Sequence, residues 1–219
     1  YWAGGVPWLL DSGVSNYDDV RRTSWFTEPQ AHNSLLVDGR GDFERKAIAF
    51  AKEPTASSEL VSFEENERFA RVLMRHGGFE NVAWKRHLVL VRGLGLVILD
   101  LVSSPQPHGY TLPFHFPPGA SLKPLAGSAL LASQAGAGGN ALLFSPIGNR
   151  ELELERLEGW VNRTSQSLSA PVAHYSVKGA RAELAFLAWP HRQGEPPPPL
   201  SRARDGNQLV LGVGDGARR

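Results

Sequence analysis

Short apolar runs recur along the whole chain, each closed by a cluster of Gly, Pro, Asn or Asp, and no long stretch carries the three-to-four spacing of an amphipathic helix. That rhythm predicts strands at 8–11, 33–38, 47–51, 59–63, 69–76, 82–91, 96–102, 110–116, 129–132, 141–144, 151–157, 172–176 and 182–188. So many short strands at such spacing predict an all-β fold, a large antiparallel β-sandwich of two stacked sheets.

The clearest hairpin is KRHLVLVRGLGLVILDLV, where two apolar runs flank Arg92-Gly93-Leu94-Gly95 and the glycines permit a tight turn. Both runs are continuously apolar, which predicts central strands buried on both faces. RELELERLEGW alternates strictly from Glu151 to Glu155, as a half-exposed strand does, although so short a run also suits one helical stretch. Residues 17–25 are polar and ambiguous. Residues 1–193 are expected to form the sandwich, 194–206 (GEPPPPLSRARDG) a Pro-rich linker or loop, and 207–219 a terminal strand or tail.

Composition narrows the function classes. With 23 basic and 22 acidic residues the formal charge is +1, so bulk electrostatics draws the chain neither to nucleic acid nor to an anionic membrane. An acidic ligand has to be met by local Arg and His. Cysteine is absent, which excludes disulfides and Cys-based zinc sites. No apolar run reaches the roughly 18 residues of a membrane span. The chain opens directly on YWAGGVPWLLDSG, without Met or a leader, and is read as a piece of something longer.

No phosphate loop, Gly-x-Ser-x-Gly elbow, His-Glu-x-x-His or EF-hand is present. The chemistry-bearing residues cluster near the start: Asp11, Tyr17, Asp18, Asp19, Arg21, Arg22, His32, Asn33 and Asp38. LLDSGVSNY followed by RRTSWFTEPQAHNSLLVDGRGD resembles the opening of the C-terminal β-domain of heparinase II/III-like polysaccharide lyases. In that family Asp-Pro-Gly-Thr-Tyr-x-Tyr precedes Arg-Ser-Thr-x-Ala-His-Asn-Thr and a run into Val-Asp-Gly. WKRHLVLVRGLGLVILDLV, YTLPFHFPPGA and EGWVNRTSQSLSAPVAHYSVKGARAELAFLAWP resemble its later segments in order, so the likeness runs from about Trp8 to Pro190. Ser12 and Ser15 stand where the family has Pro and the first Tyr.

The resemblance implies the β-sheet domain of an enzyme that cleaves uronic-acid glycans, such as glycosaminoglycans or alginate, by β-elimination. The partner domain would be an N-terminal α/α toroid, the setting periplasmic or secreted, and no cofactor would be required. His32 matches the catalytic histidine that the β-domain contributes across the cleft. Tyr17, Arg21, Arg22 and Asn33 are the candidate substrate contacts, an Arg fork suiting a carboxylate. Because extended neighbours point to opposite faces, Asn33 is expected to aim away from His32. Zinc-binding members use two His and an Asp; His32 and His87 could supply the histidines of a structural zinc. Ala47-Ile48-Ala49-Phe50 occupies the expected Asp position, with Asp42, Glu44 and Glu53 nearby. The competing expectation is a non-catalytic carbohydrate-binding or interdomain module.

Overall fold

A computed structural model describes residues 1–41, 58–148, 151–192, 194–195, 200–205 and 208–213. A small N-terminal hairpin pairs β1 (Trp2–Ala3) with β2 (Val6–Pro7). Among the described residues the body of the molecule is one antiparallel sheet of ten strands. Its main path runs through β4 (Ser58–Glu65), β5 (Phe69–His76), β6 (Ala83–Val91), β7 (Gly95–His115), β12 (Gln166–Arg192), β10 (Asn140–Pro146), β9 (Leu130–Gln134) and β8 (Ala120–Pro124). Beside this path β11 (Glu153–Arg163) pairs with β12, and β3 (Leu36–Val37) pairs with β7.

The sheet doubles over on itself to make the two expected layers. Phe114 pairs with Ala173 of β12, while Phe144 pairs with Ala188 of the same strand. Fifteen residues of straight strand would separate those positions by about 50 Å. The two rings instead lie 4.6 Å apart, centre to centre. The fold-over falls where the β7–β12 ladder slips, between Gly179 and Arg181 on one strand and His108 and Ser103 on the other. One layer therefore holds the first half of β7 and the last half of β12; the other holds their remaining halves with β3 and β11.

Between the layers Tyr110, Leu112, Phe114 and Phe116 of the β7 segment meet Leu142, Phe144, Leu184 and Phe186, all essentially inaccessible to solvent. Phe144 and Phe186 stack at 5.4 Å, and Tyr175 meets Phe186 edge-on at 4.9 Å. Each such pair adds about 0.5–1.5 kcal/mol beyond its buried area when offset or edge-on.

The expected strands 96–102 and 110–116 are one strand of 21 residues, and 172–176 and 182–188 are parts of another of 27. Ser-Ser-Pro-Gln-Pro-His-Gly reads as a break because proline cannot donate to a ladder. Here Pro105 and Pro107 sit where the ladder skips, so the chain stays extended through them. The turn at Arg92–Leu94 is as expected, with Gly93 at φ +77°. The alternation at 151–155 resolves as strand: Leu152 is buried while Glu153 and Glu155 are exposed.

The expected strand 8–11 is reduced to a single bridge, Leu10 to His115, and 33–38 to the two residues of β3. Their backbones serve turns instead: the N–H groups of Trp8 and Leu9 both donate to the Tyr1 carbonyl. Residues 17–25 lead into a wide helical turn, Arg22–Phe26. Strand β8 carries too weak a pattern to be read from sequence. The expected strand 47–51 lies outside the described residues. Within 194–206, Leu200–Asp205 forms β13 and pairs with β14 (Gln208–Val213). Among the described residues no helix is long and apolar enough to cross a membrane.

Candidate functional site

The N-terminal segment lies against the outer face of the smaller layer, and Trp25 anchors it. The indole N–H donates to the Trp160 carbonyl at 2.9 Å and lies 3.2 Å from the Ser12 hydroxyl. Its ring meets His115 edge-on at 5.9 Å. Gly159 makes this approach possible, since a Cβ there would fall 2.4 Å from Trp25 Cζ2 and 2.6 Å from Val172 Cγ2. No residue with a side chain fits under that indole.

After Trp25 the chain makes a short 3-10 turn, Pro29–Ala31, and leaves it at His32 with φ −124° and ψ 151°. In that extended conformation His32 and Asn33 diverge, as expected. The His32 Nδ1–H donates to Asp11 Oδ2 at 2.8 Å, and Asp11 Oδ1 accepts from the Gly13 N–H at 2.8 Å. The Asp11 hydrogen bond raises the His32 pKa above its ordinary value against partial burial. Burial alone would raise the Asp11 carboxyl. The His32 and Gly13 hydrogen bonds, with nearby positive charge, bring it below its usual range instead. A half-exposed imidazole, its protonated form favoured by the carboxylate that holds it, is thus presented at the rim.

Asn33 turns inward, and both ends of its amide are engaged. Its Nδ2 donates to the Leu10 carbonyl at 2.8 Å, and its Oδ1 accepts from both the backbone N–H and the Nδ1–H of His115 at 2.9 Å. Arg86 then reaches the Asn33 carbonyl with Nη1 at 2.6 Å while its Nε bonds Asp100 at 2.9 Å. Asp100 is wholly buried and also accepts from the Trp84 indole. An unpaired carboxylate would not survive there; the Arg86 guanidinium makes its burial tolerable. A polar chain therefore runs from Asp100 through Arg86 and Asn33 to Leu10, next to Asp11.

His115 lies beneath this loop with no solvent exposure, and burial takes its pKa down to about 4. It is neutral at ordinary pH. Its Nδ1 carries the proton, and its Nε2 has no hydrogen-bond partner among the described residues.

The remaining candidates take other places. Arg21 lies 4.0 Å over the Trp160 ring and 3.4 Å from Asp19, whose other oxygen accepts from Ser167. Arg22 lies 3.9 Å over the Tyr17 ring, which is itself 86% exposed. His32, Asp11 and Asn33 meet at one rim; Tyr17, Arg21 and Arg22 line the segment that leads to it. His87 does not join them. It neighbours Arg86 on β6 and so projects from the opposite face of the sheet, where burial and the charges of Arg71 and Lys85 depress its pKa. His32 and His87 therefore cannot share one zinc ion, and among the described residues no three His, Cys, Asp or Glu converge on a metal-sized space. Asp42, Glu44 and Glu53 lie outside the described residues.

Arg86 and Asp100 belong to the site although neither was among its candidates. Their signal was available, since a charge inside a continuous apolar strand demands a partner. What sequence could not supply was the pairing itself.

Among solved structures, a heparan sulfate lyase HepC mutant from Pedobacter heparinus superposes with a TM-score of 0.80 at 13% identity, over 95% of this chain and 33% of that one. A heparinase III structure matches with a TM-score of 0.75 at 14% identity, over 95% of this chain and 33% of its own. The chain thus spans about a third of the length of these structures. No curated protein matches it in sequence. The family model described as heparinase II/III-like, C-terminal, matches residues 1–184. Those residues hold both layers' shared strands up to the middle of β12 and the whole His32 rim, and the chain belongs to the heparinase II/III-like C-terminal domain family.

Proposed function

We propose that this chain is the β-sheet half of a polysaccharide lyase that cleaves uronate-containing glycans by β-elimination, with His32 as its contribution to the reaction. The observation that carries the reading is the Asp11–His32 pair, 2.8 Å long and half-exposed at the rim. Removal of the C5 proton of a uronate leaves negative charge on its carboxyl group. A positioned cationic donor stabilises that charge as it develops. Asp11 favours the protonated imidazole, so His32 serves as a donor to the sugar carboxylate rather than as the base. The base, and the acid for the departing O4, are assigned to an N-terminal α/α toroid of the parent protein. Elimination neither oxidises nor reduces the sugar, so the proposal calls for no redox cofactor. The substrate class places the activity in a periplasm or outside the cell.

The test is the ultraviolet absorbance of unsaturated product from the full-length protein on heparin, heparan sulfate and alginate. His32→Ala is expected to lower kcat by about a hundredfold or more; full activity in that variant removes His32 from the reaction. A non-catalytic glycan-binding module is the second reading. It is favoured by Arg21 and Arg22, whose guanidinium planes already rest on Trp160 and Tyr17. Inertness of the wild type on every uronan, with glycan binding retained, decides for it.

A further inference from the structure

A second basic pocket, of about 620 Å³, opens where the β5–β6 connection meets the slip in β7. Arg75, Lys85 and Arg181 line it against one carboxylate, Glu59, which pairs with Arg75. Lys85 and Arg181 are exposed and have no carboxylate partner among the described residues. Half-buried Phe79 supplies an apolar edge from the β5–β6 connection, and Trp84 packs behind it in the core, with the His76 ring set edge-on to both at 6.2 and 5.1 Å. Exposed Ser103 adds a hydroxyl group, whereas the Ser104 hydroxyl is engaged by the Gln106 carbonyl and Tyr110. Its volume is that of a small-ligand site.

The register sets the spacing of the two positions that carry these cations. Lys85 pairs with Leu101 and Arg181 with Ser103, so they flank β7 on either side, offset by two residues along it, with Cα atoms roughly 12 Å apart. That is wider than one sugar ring. An oligosaccharide with successive acidic groups matches that span with both side chains extended across the surface. The Phe79 edge gives the pocket an apolar contact for a sugar ring, which a simple polyanion does not offer. Trp84 stands two residues from Arg86 on β6, about 7 Å along the strand from the residue that holds the Asn33 carbonyl.

We infer that this pocket is an accessory subsite for an anionic oligosaccharide, separate from the His32 rim, with Lys85 and Arg181 as its charge contacts. The inference rests on the anionic-glycan reading above and extends it to a second place on the domain.

Binding to the full-length protein is measured by calorimetry with three probes: a heparan sulfate hexasaccharide, an alginate hexasaccharide and tripolyphosphate. The variants are Lys85→Ala/Arg181→Ala and Lys85→Arg/Arg181→Lys, each checked for an unchanged melting temperature. The alanine pair is expected to weaken binding of an acidic hexasaccharide about tenfold or more, with the charge-conserving pair close to wild type. The hexasaccharide that responds identifies sulfate or carboxylate as the group recognised. Unchanged hexasaccharide binding in the alanine pair overturns the inference, and so does an equal loss for tripolyphosphate, which marks a mere charged patch. A protein inert toward every uronan whose hexasaccharide binding still depends on Lys85 and Arg181 sinks the lyase reading and leaves the subsite standing.

Discussion

Arg86 holds the main-chain carbonyl of Asn33 at 2.6 Å, and through it the large sheet positions the residue next to His32. The two are 53 residues apart in sequence, and the same guanidinium neutralises buried Asp100. Arg86→Ala leaves that carboxylate uncompensated and is expected to cost about 3–5 kcal/mol of stability by urea denaturation. The double variant Arg86→Met/Asp100→Leu is expected to recover most of it. Recovery of stability without recovery of glycan-dependent activity marks Arg86 as a positioning residue. If the double variant is no more stable than Arg86→Ala, the pair is not coupled as described.

Asp11→Asn replaces the carboxylate that raises the His32 pKa with a neutral amide, a weaker acceptor that carries no charge. The imidazole of that variant should titrate at lower pH in an NMR experiment, toward the ordinary value. The sign for stability follows from both shifts. Asp11 titrates low and His32 high in the folded protein, so the pair contributes most between the two values. Its contribution fades as pH falls through the Asp11 pKa and as pH rises through that of His32. A variant whose His32 titration is unmoved contradicts the assignment.

His115 carries the opposite linkage. Its folded pKa, about 4, lies below the unfolded value of roughly 6.5, so between those values the unfolded chain binds more protons. Stability is therefore lost as pH falls from about 6.5 to about 4, by roughly 3 kcal/mol in all. His115→Gln keeps a donor toward Asn33 and removes the titration. Its unfolding free energy should be flatter across that range than the wild type's, and an identical acid limb would place the loss elsewhere.

Gly159→Ala tests the Trp25 anchor. The added methyl must displace either the indole or Val172 and is expected to cost about 1–3 kcal/mol, with a change in Trp fluorescence. A neutral substitution would mean that Trp25 is not pressed against the strand.

Local chemistry made much of the fold legible. Strands β5 and β6 and the Gly93 turn follow from apolar runs and turn residues, and Glu153 and Glu155 fall on the wet face because alternation forces them there. The divergence of His32 and Asn33 was legible for the same reason. Pairings between distant segments were not. Nothing near Asn33 announces Arg86, and nothing near Trp25 announces that Gly159 leaves room for it. Ser103–Gly109 misled because its prolines mark an end in most strands, whereas here the partner strand passes them by.

The doubled-over β7–β12 ladder also bears on how the domain assembles. The partners His115 and Val172 are more than fifty positions apart, and each strand crosses from one layer to the other. Neither layer can close its ladder before that distant pairing forms, and neither can open alone without fraying the other. The domain is therefore expected to fold slowly for its size and to exchange its core amides as a single cooperative unit, so that a lesion in either layer is felt at the His32 rim.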